Sequence, residues 1–224
     1  MSSILVLTAV DVEARRLARH LGLAAVPESP WPHYRAGVLE VVCVGPRAAQ
    51  LGERSGWRAP ALVISAGACG ALAPDLPVGS LVVPEAVIGP NGGRLAAAAV
   101  SPLGRAGTLL TLVDVVHMPS DKARLWIETG ALAVDTESSV ILEWAGASGL
   151  PAAVVRGVSD AAASGVPPDL AAVVGPEGRV SRGQALRAML ARPGALADAI
   201  ALGRGTGAAL KTVAHALGSV ARGR

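Results

Sequence analysis

The sequence predicts an α/β chain folded as a three-layer α/β/α sandwich around a central mixed sheet. Three observations predict it. Apolar runs of four to six residues recur along the chain, too short for buried helices and bounded by Gly or Pro. Helical patterns alternate with these runs, which is the signature of layered α/β architecture. The first run passes into the first helix through a tight turn, as crossover units require.

The elements follow in order. Residues 4–7 read as a buried strand. Thr8 to Asp11 looks like a capping-box start, with Leu7 and Val12 suited to a hydrophobic staple. A helix then runs to about His20 and ends near Gly22. Residues 39–44 form a strand that stops at Gly45 and Pro46, and residues 47–53 look helical. Residues 61–65 are a third strand, running into a small-residue loop at 66–71. Strands are expected at 79–83, 108–112, 131–134 and 152–156, and helices at 122–128 and 137–147. Residues 89–93 and 161–178 are loop-like. The tail from Val180 is helical and split at Pro193. Its second part places Leu196, Ile200, Gly203, Leu210, Val213 and Leu217 near one face.

Composition bounds the function. The chain has 224 residues, which suits a single domain over 1–224. Hydrophobic residues make up 51% and mean hydropathy is +0.48, so the chain buries a core rather than staying disordered. Aromatics are 2%, with no Phe. A stacking platform must come from Trp31, Tyr34, Trp57, Trp126 or Trp144. The net charge of +3 comes without a basic block, which argues against nucleic-acid binding. Cys43 and Cys69 have no metal-ligand spacing, and the four histidines form no HxxxH or HxH pair, so no metal site is expected. The opening lacks the basic region of a signal peptide, and the uncharged run at 59–74 is too short to span a bilayer. A cytoplasmic location is the expectation. From Val180 onward Asp198 faces seven Arg and Lys residues. That reads as a solvated basic face, or as contact with an anionic surface.

Carboxylates at strand ends are the residues to weigh, because ligands bind there in α/β sheets. Glu13 follows the first strand, Glu137 the strand at 131–134, and Asp160 the strand at 152–156. Singly, each also fits a helix dipole or a turn cap. No GxSxG elbow and no GxGxxG loop is present, which disfavours a serine hydrolase and a dinucleotide site.

Three segments carry a resemblance. ILVLTAVDVEA is similar to the opening strand and acidic helix start of the nucleoside phosphorylase superfamily, in particular the methylthioadenosine/S-adenosylhomocysteine nucleosidases. VISAGACGALAPDLPVGSLVV resembles its glycine-rich loop and next strand. AVDTESSVILEWAGASGLPAAVVRGVSDAA resembles its "VEMEAAA" helix start and "VRAISD" strand end. Within the superfamily, the segments at 107–139 and 166–196 look closest to the hopanoid-associated phosphorylases, which act on adenosylhopane.

The resemblance implies a nucleoside-phosphorylase-like fold and cleavage of the N-glycosidic bond of a purine nucleoside, releasing adenine. Asp160 matches the aspartate that protonates purine N7, and burial is expected to favour its protonated form. Glu137 matches the glutamate that holds the ribose hydroxyls and stabilises positive charge on the sugar. Glu13 and Arg156 match the acid and arginine beside the attacking water. Gly67 and Ala68 match the glycine-rich loop against the substrate. Thr136 stands where the family has methionine, which removes an apolar wall under the sugar. The family's stacking phenylalanine has no counterpart, and Val116 or His117 occupies the matching stretch. The region between 83 and 108 is shorter than in the nucleosidases, so the 5′ side is expected to be more open.

The nucleophile stays open at this point. Ser65 and Ala68 stand where hexameric phosphorylases carry phosphate ligands, and residues 8–11 lack the family's arginine loop, which favours water. Arg47, after Gly45-Pro46 at a helix start, offers an anion site, and the hopanoid branch favours phosphate as co-substrate. No other cofactor is implied. A methylthioadenosine/S-adenosylhomocysteine nucleosidase and a non-catalytic nucleoside-binding protein are the alternatives. The resemblance further implies a homo-oligomer and a small-molecule substrate, lipid-linked in the hopanoid case, with peripheral membrane contact through the tail.

Overall fold

A computed structural model describes residues 3–54, 56–175, 177–181, 183 and 194–223. The predicted helix across 184–193 and its break at Pro193 lie outside the described residues.

The strands are β1 (Ser3–Thr8), β2 (Ala24–Ala25), β3 (His33–Ala36), β4 (Leu39–Cys43), β5 (Pro60–Ala71), β6 (Leu81–Val82), β7 (Ala86–Ile88), β8 (Arg94–Ala96), β9 (Thr108–Thr111), β10 (Ala133–Asp135) and β11 (Ala152–Asp160). The helices are α1 (Asp11–Leu21), α2 (Pro119–Thr129), α3 (Ser138–Ala147), α4 (Pro168–Ala171) and α5 (Ala195–Arg222). One mixed sheet runs β2-β3-β4-β1-β5-β10-β9-β7-β8, with β11 on β5 and β6 on β11.

Alternation along the central strands builds three layers. In β1, Ile4 and Val6 join Leu17 of α1 and Leu210, Val213 and Leu217 of α5 in one core cluster. Leu5 and Leu7 face the opposite cluster, with Ile141, Leu142 and Ala145 of α3. Ala153 and Val155 of β11 repeat the first pattern, and Ala152, Val154 and Val158 the second. The sheet is therefore buried on both faces, which is why its strands read as unbroken apolar runs.

β5 is the strand that makes the site. Its early residues pair with β1 in parallel, through Leu7 opposite Ser65. Its last residues pair with β10 antiparallel, Val134 opposite Gly70. β11 runs parallel along the other edge of β5 throughout, from Ala152 opposite Val63 to Asp160 opposite Gly70. β1 and β10 thus share one edge of β5 and point their C-terminal ends at each other. They leave a gap beside residues 66–69, where two strands diverge and a crevice opens.

Several expectations change. The stretch 66–71 is strand, not loop. Its small side chains let one strand serve β1, β10 and β11. The stretch 47–53 is no helix beyond a single 3-10 turn at Pro46–Ala48. Arg47 and Ala48 adopt φ of 57° and 52°, which no α-helix continues through. Thr8 does not cap α1; it lies in β1, and the cap position is Val10, whose backbone N–H is met by Glu13. Leu196 and Ile200 are exposed rather than on the buried face of α5, whereas Leu210, Val213 and Leu217 are buried. β2, β3, β7 and β8 are short added strands; β7 and β8 flank the loop at 89–93. No helix among the described residues is long and apolar enough to cross a membrane.

Candidate active site

The gap beside β5 opens into a cavity of about 460 Å³. Its floor is polar and its outer wall apolar. Glu13, Asp135, Glu137 and Asp160 line the floor with Ala68, Thr136 and Lys122. Val115, Val116, Val166, Val173, Val174 and Leu202 line the wall.

Glu13 sits in the first turn of α1, where the helix dipole favours a carboxylate. Its Oε2 accepts from the backbone N–H of Ala9 and Val10, at 3.2 and 3.3 Å. Its Oε1 accepts from the N–H of Ala68 at 2.8 Å. The carboxylate therefore bridges the end of β1 to the middle of β5. Burial raises the Glu13 pKa above its ordinary value, against the opposing pull of Arg156 and the three backbone donors.

Gly67 makes this approach possible. It holds φ of +151°, and a Cβ there would stand 2.6 Å from Glu13 Oε1 and 2.9 Å from Arg156 Nη1.

Glu137 follows β10 as the cap residue of α3. Its Oε1 accepts from the Arg47 backbone N–H at 3.2 Å and from the Thr136 hydroxyl. The left-handed turn at Arg47 serves that contact. Burial pushes the Glu137 pKa up to about 7, reinforced by Asp135 and Glu13 and opposed by Arg156.

Arg156 lies beneath the cavity, 1% exposed. Its Nη2 meets Asp135 Oδ2 at 2.7 Å, Ser65 Oγ at 2.9 Å, Ser138 Oγ at 3.2 Å and Glu137 Oε2 at 3.4 Å. Its Nη1 donates to the Ala68 carbonyl at 3.3 Å. Burial works against its charge, but Asp135, Glu137 and Glu13 outweigh it and hold the guanidinium protonated. A buried cation of this kind persists only where carboxylates compensate it.

Asp160 ends β11, beyond a register shift after Val158. Its Oδ2 is ion-paired with the Lys122 ammonium, and its Oδ1 lies 2.6 Å from Ser159 Oγ.

The structure brings Glu13, Ala68, Val116, Thr136, Glu137 and Asp160 to one cavity. Gly67 and Arg156 stand directly behind it. His117 does not line it; its Nδ1 lies 2.7 Å from the Val166 carbonyl, which spends that nitrogen on the 161–178 segment. Arg47 supplies its backbone rather than its side chain, which pairs with Asp114 and the Val113 carbonyl. Sequence reasoning missed Asp135, whose signal was a carboxylate ending an apolar strand. It also missed Ser159 and Lys122. Among the described residues no cluster of His, Cys, Asp and Glu is arranged to hold a metal ion.

No protein-family model matches the sequence, and no curated protein matches it. Solved structures do. A 5′-methylthioadenosine/S-adenosylhomocysteine nucleosidase from Neisseria meningitidis, in complex with methylthio-immucillin-A, aligns with a TM-score of 0.70 at 16% identity, covering 100% of both chains. A 5′-methylthioadenosine nucleosidase from Arabidopsis thaliana aligns at 0.70 and 19% identity, covering 100% of this chain and 97% of that one. A futalosine hydrolase from Helicobacter pylori aligns at 0.72 and 16% identity, covering 100% and 98%. At these identities the likeness establishes architecture: this chain has the mixed-sheet α/β/α fold on which those nucleosidases and that hydrolase are built.

Proposed function

We propose that this chain is an enzyme that cleaves the N-glycosidic bond of an adenosine-type purine nucleoside by attack of water at ribose C1′. The observation that carries this reading is the convergence of Glu13, Glu137 and Asp160, from three different strand ends, on one cavity. Bond cleavage builds positive charge on the sugar and negative charge on the departing base. Carboxylates under the sugar and a proton at the base oppose those charges. Glu13 takes the water proton, Glu137 holds the ribose hydroxyls, and Asp160 faces N7.

Water is favoured over phosphate by electrostatics. Every acceptor on the Arg156 guanidinium tips is already a carboxylate, hydroxyl or carbonyl. A phosphate beside Glu13, Asp135 and Glu137 would meet like charge in a desolvated site.

The substrate proposed is adenosylhopane. The valine-rich wall suits an apolar 5′ substituent. The exposed Leu196 and Ile200 on α5 support a peripheral membrane contact that delivers such a lipid. The exposed Val115 of the cavity wall, with the exposed Val113 and Met118 close to it in sequence, supports a homo-oligomer. A second reading, a methylthioadenosine/S-adenosylhomocysteine nucleosidase, is supported by the end-to-end fold likeness to such enzymes.

The test is adenine release from adenosylhopane and from methylthioadenosine, each with and without phosphate. Release from adenosylhopane alone, without phosphate, supports the first reading. Release from methylthioadenosine moves the chain to the second. A phosphate requirement overturns water as nucleophile.

A further inference from the structure

Lys122 is a buried cation on the cavity floor that the scheme above leaves idle. Lys122 lies on α2 and is 1% exposed, yet it lines the cavity. Lysine is rarely buried this far unless paired. Its Nζ is paired with Asp160 Oδ2 and donates to the Ala161 carbonyl at 3.0 Å. Asp160 is fixed from the other side by Ser159, whose Oγ also lies 3.1 Å from the Cys69 carbonyl. Gly70, opposite Asp160, leaves room for the carboxylate: a Cβ there would stand 2.9 Å from Asp160 Oδ2 and 3.5 Å from Lys122 Nζ. Both members of the pair thus border the same cavity in a built arrangement.

We infer that the acid of the reaction is the Lys122–Asp160 pair, with the lysine ammonium as its proton source. This rests on the glycosidic-cleavage reading above. An ion pair, rather than a lone carboxyl group, therefore faces the base. As the C1′–N9 bond breaks, its electron pair stays on the purine. N7 takes the proton held between Nζ and Oδ2, leaving Lys122 a neutral amine and Asp160 a carboxylate. The hydroxyl of water joins C1′, and its proton goes to Glu13. Solvent then removes the proton from Glu13 and restores the one on Lys122.

The charged and titratable groups around the pair are Cys69 of β5, Asp135 and Glu137 at β10, Glu13 and Arg16 of α1, Asp114 before α2, Asp198 and Arg204 of α5, which share a second cavity with Asp160, and Arg156 beneath. None of them offers a second ammonium to this corner. An arginine at 122 keeps the charge and the ion pair but does not give up a proton. The experiment therefore compares Lys122→Arg, Lys122→Ala and wild type for base release from the nucleoside that the wild type cleaves. Melting temperatures identify any variant that fails to fold.

The inference expects kcat of Lys122→Arg to fall by about 10² or more with KM little changed, the scale of general-acid catalysis. It expects methylammonium to restore part of the turnover of Lys122→Ala. The alkaline limb of kcat in the presence of that amine should then follow the amine's acidity. Should Lys122→Ala fail to fold, the Lys122→Arg comparison decides alone. Full turnover of Lys122→Arg, or rescue of Lys122→Ala that ignores the acidity of the added amine, makes the pair structural and overturns the inference alone. No base release by the wild type overturns the cleavage reading and this inference with it.

Discussion

The Glu13 carboxylate and the Ala68 backbone N–H meet at 2.8 Å across the gap between the end of β1 and the middle of β5. That contact ties the first helix turn to β5 and sets the proposed base on the cavity floor. A base must be ionised to accept a proton, and burial raises the Glu13 pKa. Turnover is therefore expected to fall as pH drops, beginning above the ordinary carboxylate range. Glu13→Gln is expected to lower kcat by about 10² or more where Glu13 is ionised, with the gap to the wild type narrowing as pH falls. A kcat–pH profile of both proteins checks this.

Glu137 has the opposite consequence for stability. Its folded-state pKa of about 7 lies above the ordinary value of 4.5. A carboxylate raised in this way favours the folded state only when protonated, so its ionisation costs stability as pH rises through 7. Glu137→Gln is expected to melt above the wild type at pH 8 and level with it below about pH 4.5. Scanning calorimetry at the two pH values measures the difference. The same variant is expected to lose turnover, the usual conflict between a charged site and a stable one.

Gly67→Ala places a methyl group against Glu13 Oε1 and Arg156 Nη1 in a backbone region that L-residues avoid. It is expected to cost about 1–3 kcal/mol and to displace the base from Ala68. Denaturant unfolding reads the first effect and turnover the second.

Arg156 compensates Asp135 and Glu137 below the cavity. Arg156→Met leaves both carboxylates without that partner and is expected to destabilise by about 3–5 kcal/mol at neutral pH. Lowering the pH should recover part of the loss, since protonation then replaces the missing cation. Thermal melts across pH test it.

On α5, Leu210 is fully buried in the cluster shared with Ile4, Val6 and Leu17. Leu210→Ala is expected to cost about 2–5 kcal/mol. Leu196→Ala, at an exposed position of the same helix, is expected to stay within about 0.5 kcal/mol. Chemical denaturation of the two variants checks the assignment of the helix face.

The fold was legible where burial is two-sided. Unbroken apolar runs marked β1, β4 and the start of β5 and β11, and Gly22 marked the end of α1. The stretch 66–71 was illegible because small residues suit a loop as well as a strand, and only pairing with β10 and β11 decides between them. The turn at Arg47 depends on Glu137, ninety positions away in sequence. Of the cavity's lining, Glu13, Glu137 and Asp160 stood out as candidates from their places after strands together with the resemblance. Lys122 did not, because a lone lysine in an amphipathic helix looks like a solvated one until its ion pair is seen. The exposed Leu196 and Ile200 misled the helix-face reading because the wall of the cavity, not the core, borders that half of α5.

The central claim is that these carboxylates cleave a glycosidic bond rather than merely bind a nucleoside. The most direct measurement is adenine release in phosphate-free buffer by wild type and by Asp160→Asn, with nucleoside binding followed in parallel by calorimetry. The account predicts release by the wild type, a loss of about 10² or more in the variant, and binding retained in both. Equal release by the two proteins, or binding without release by the wild type, would contradict it.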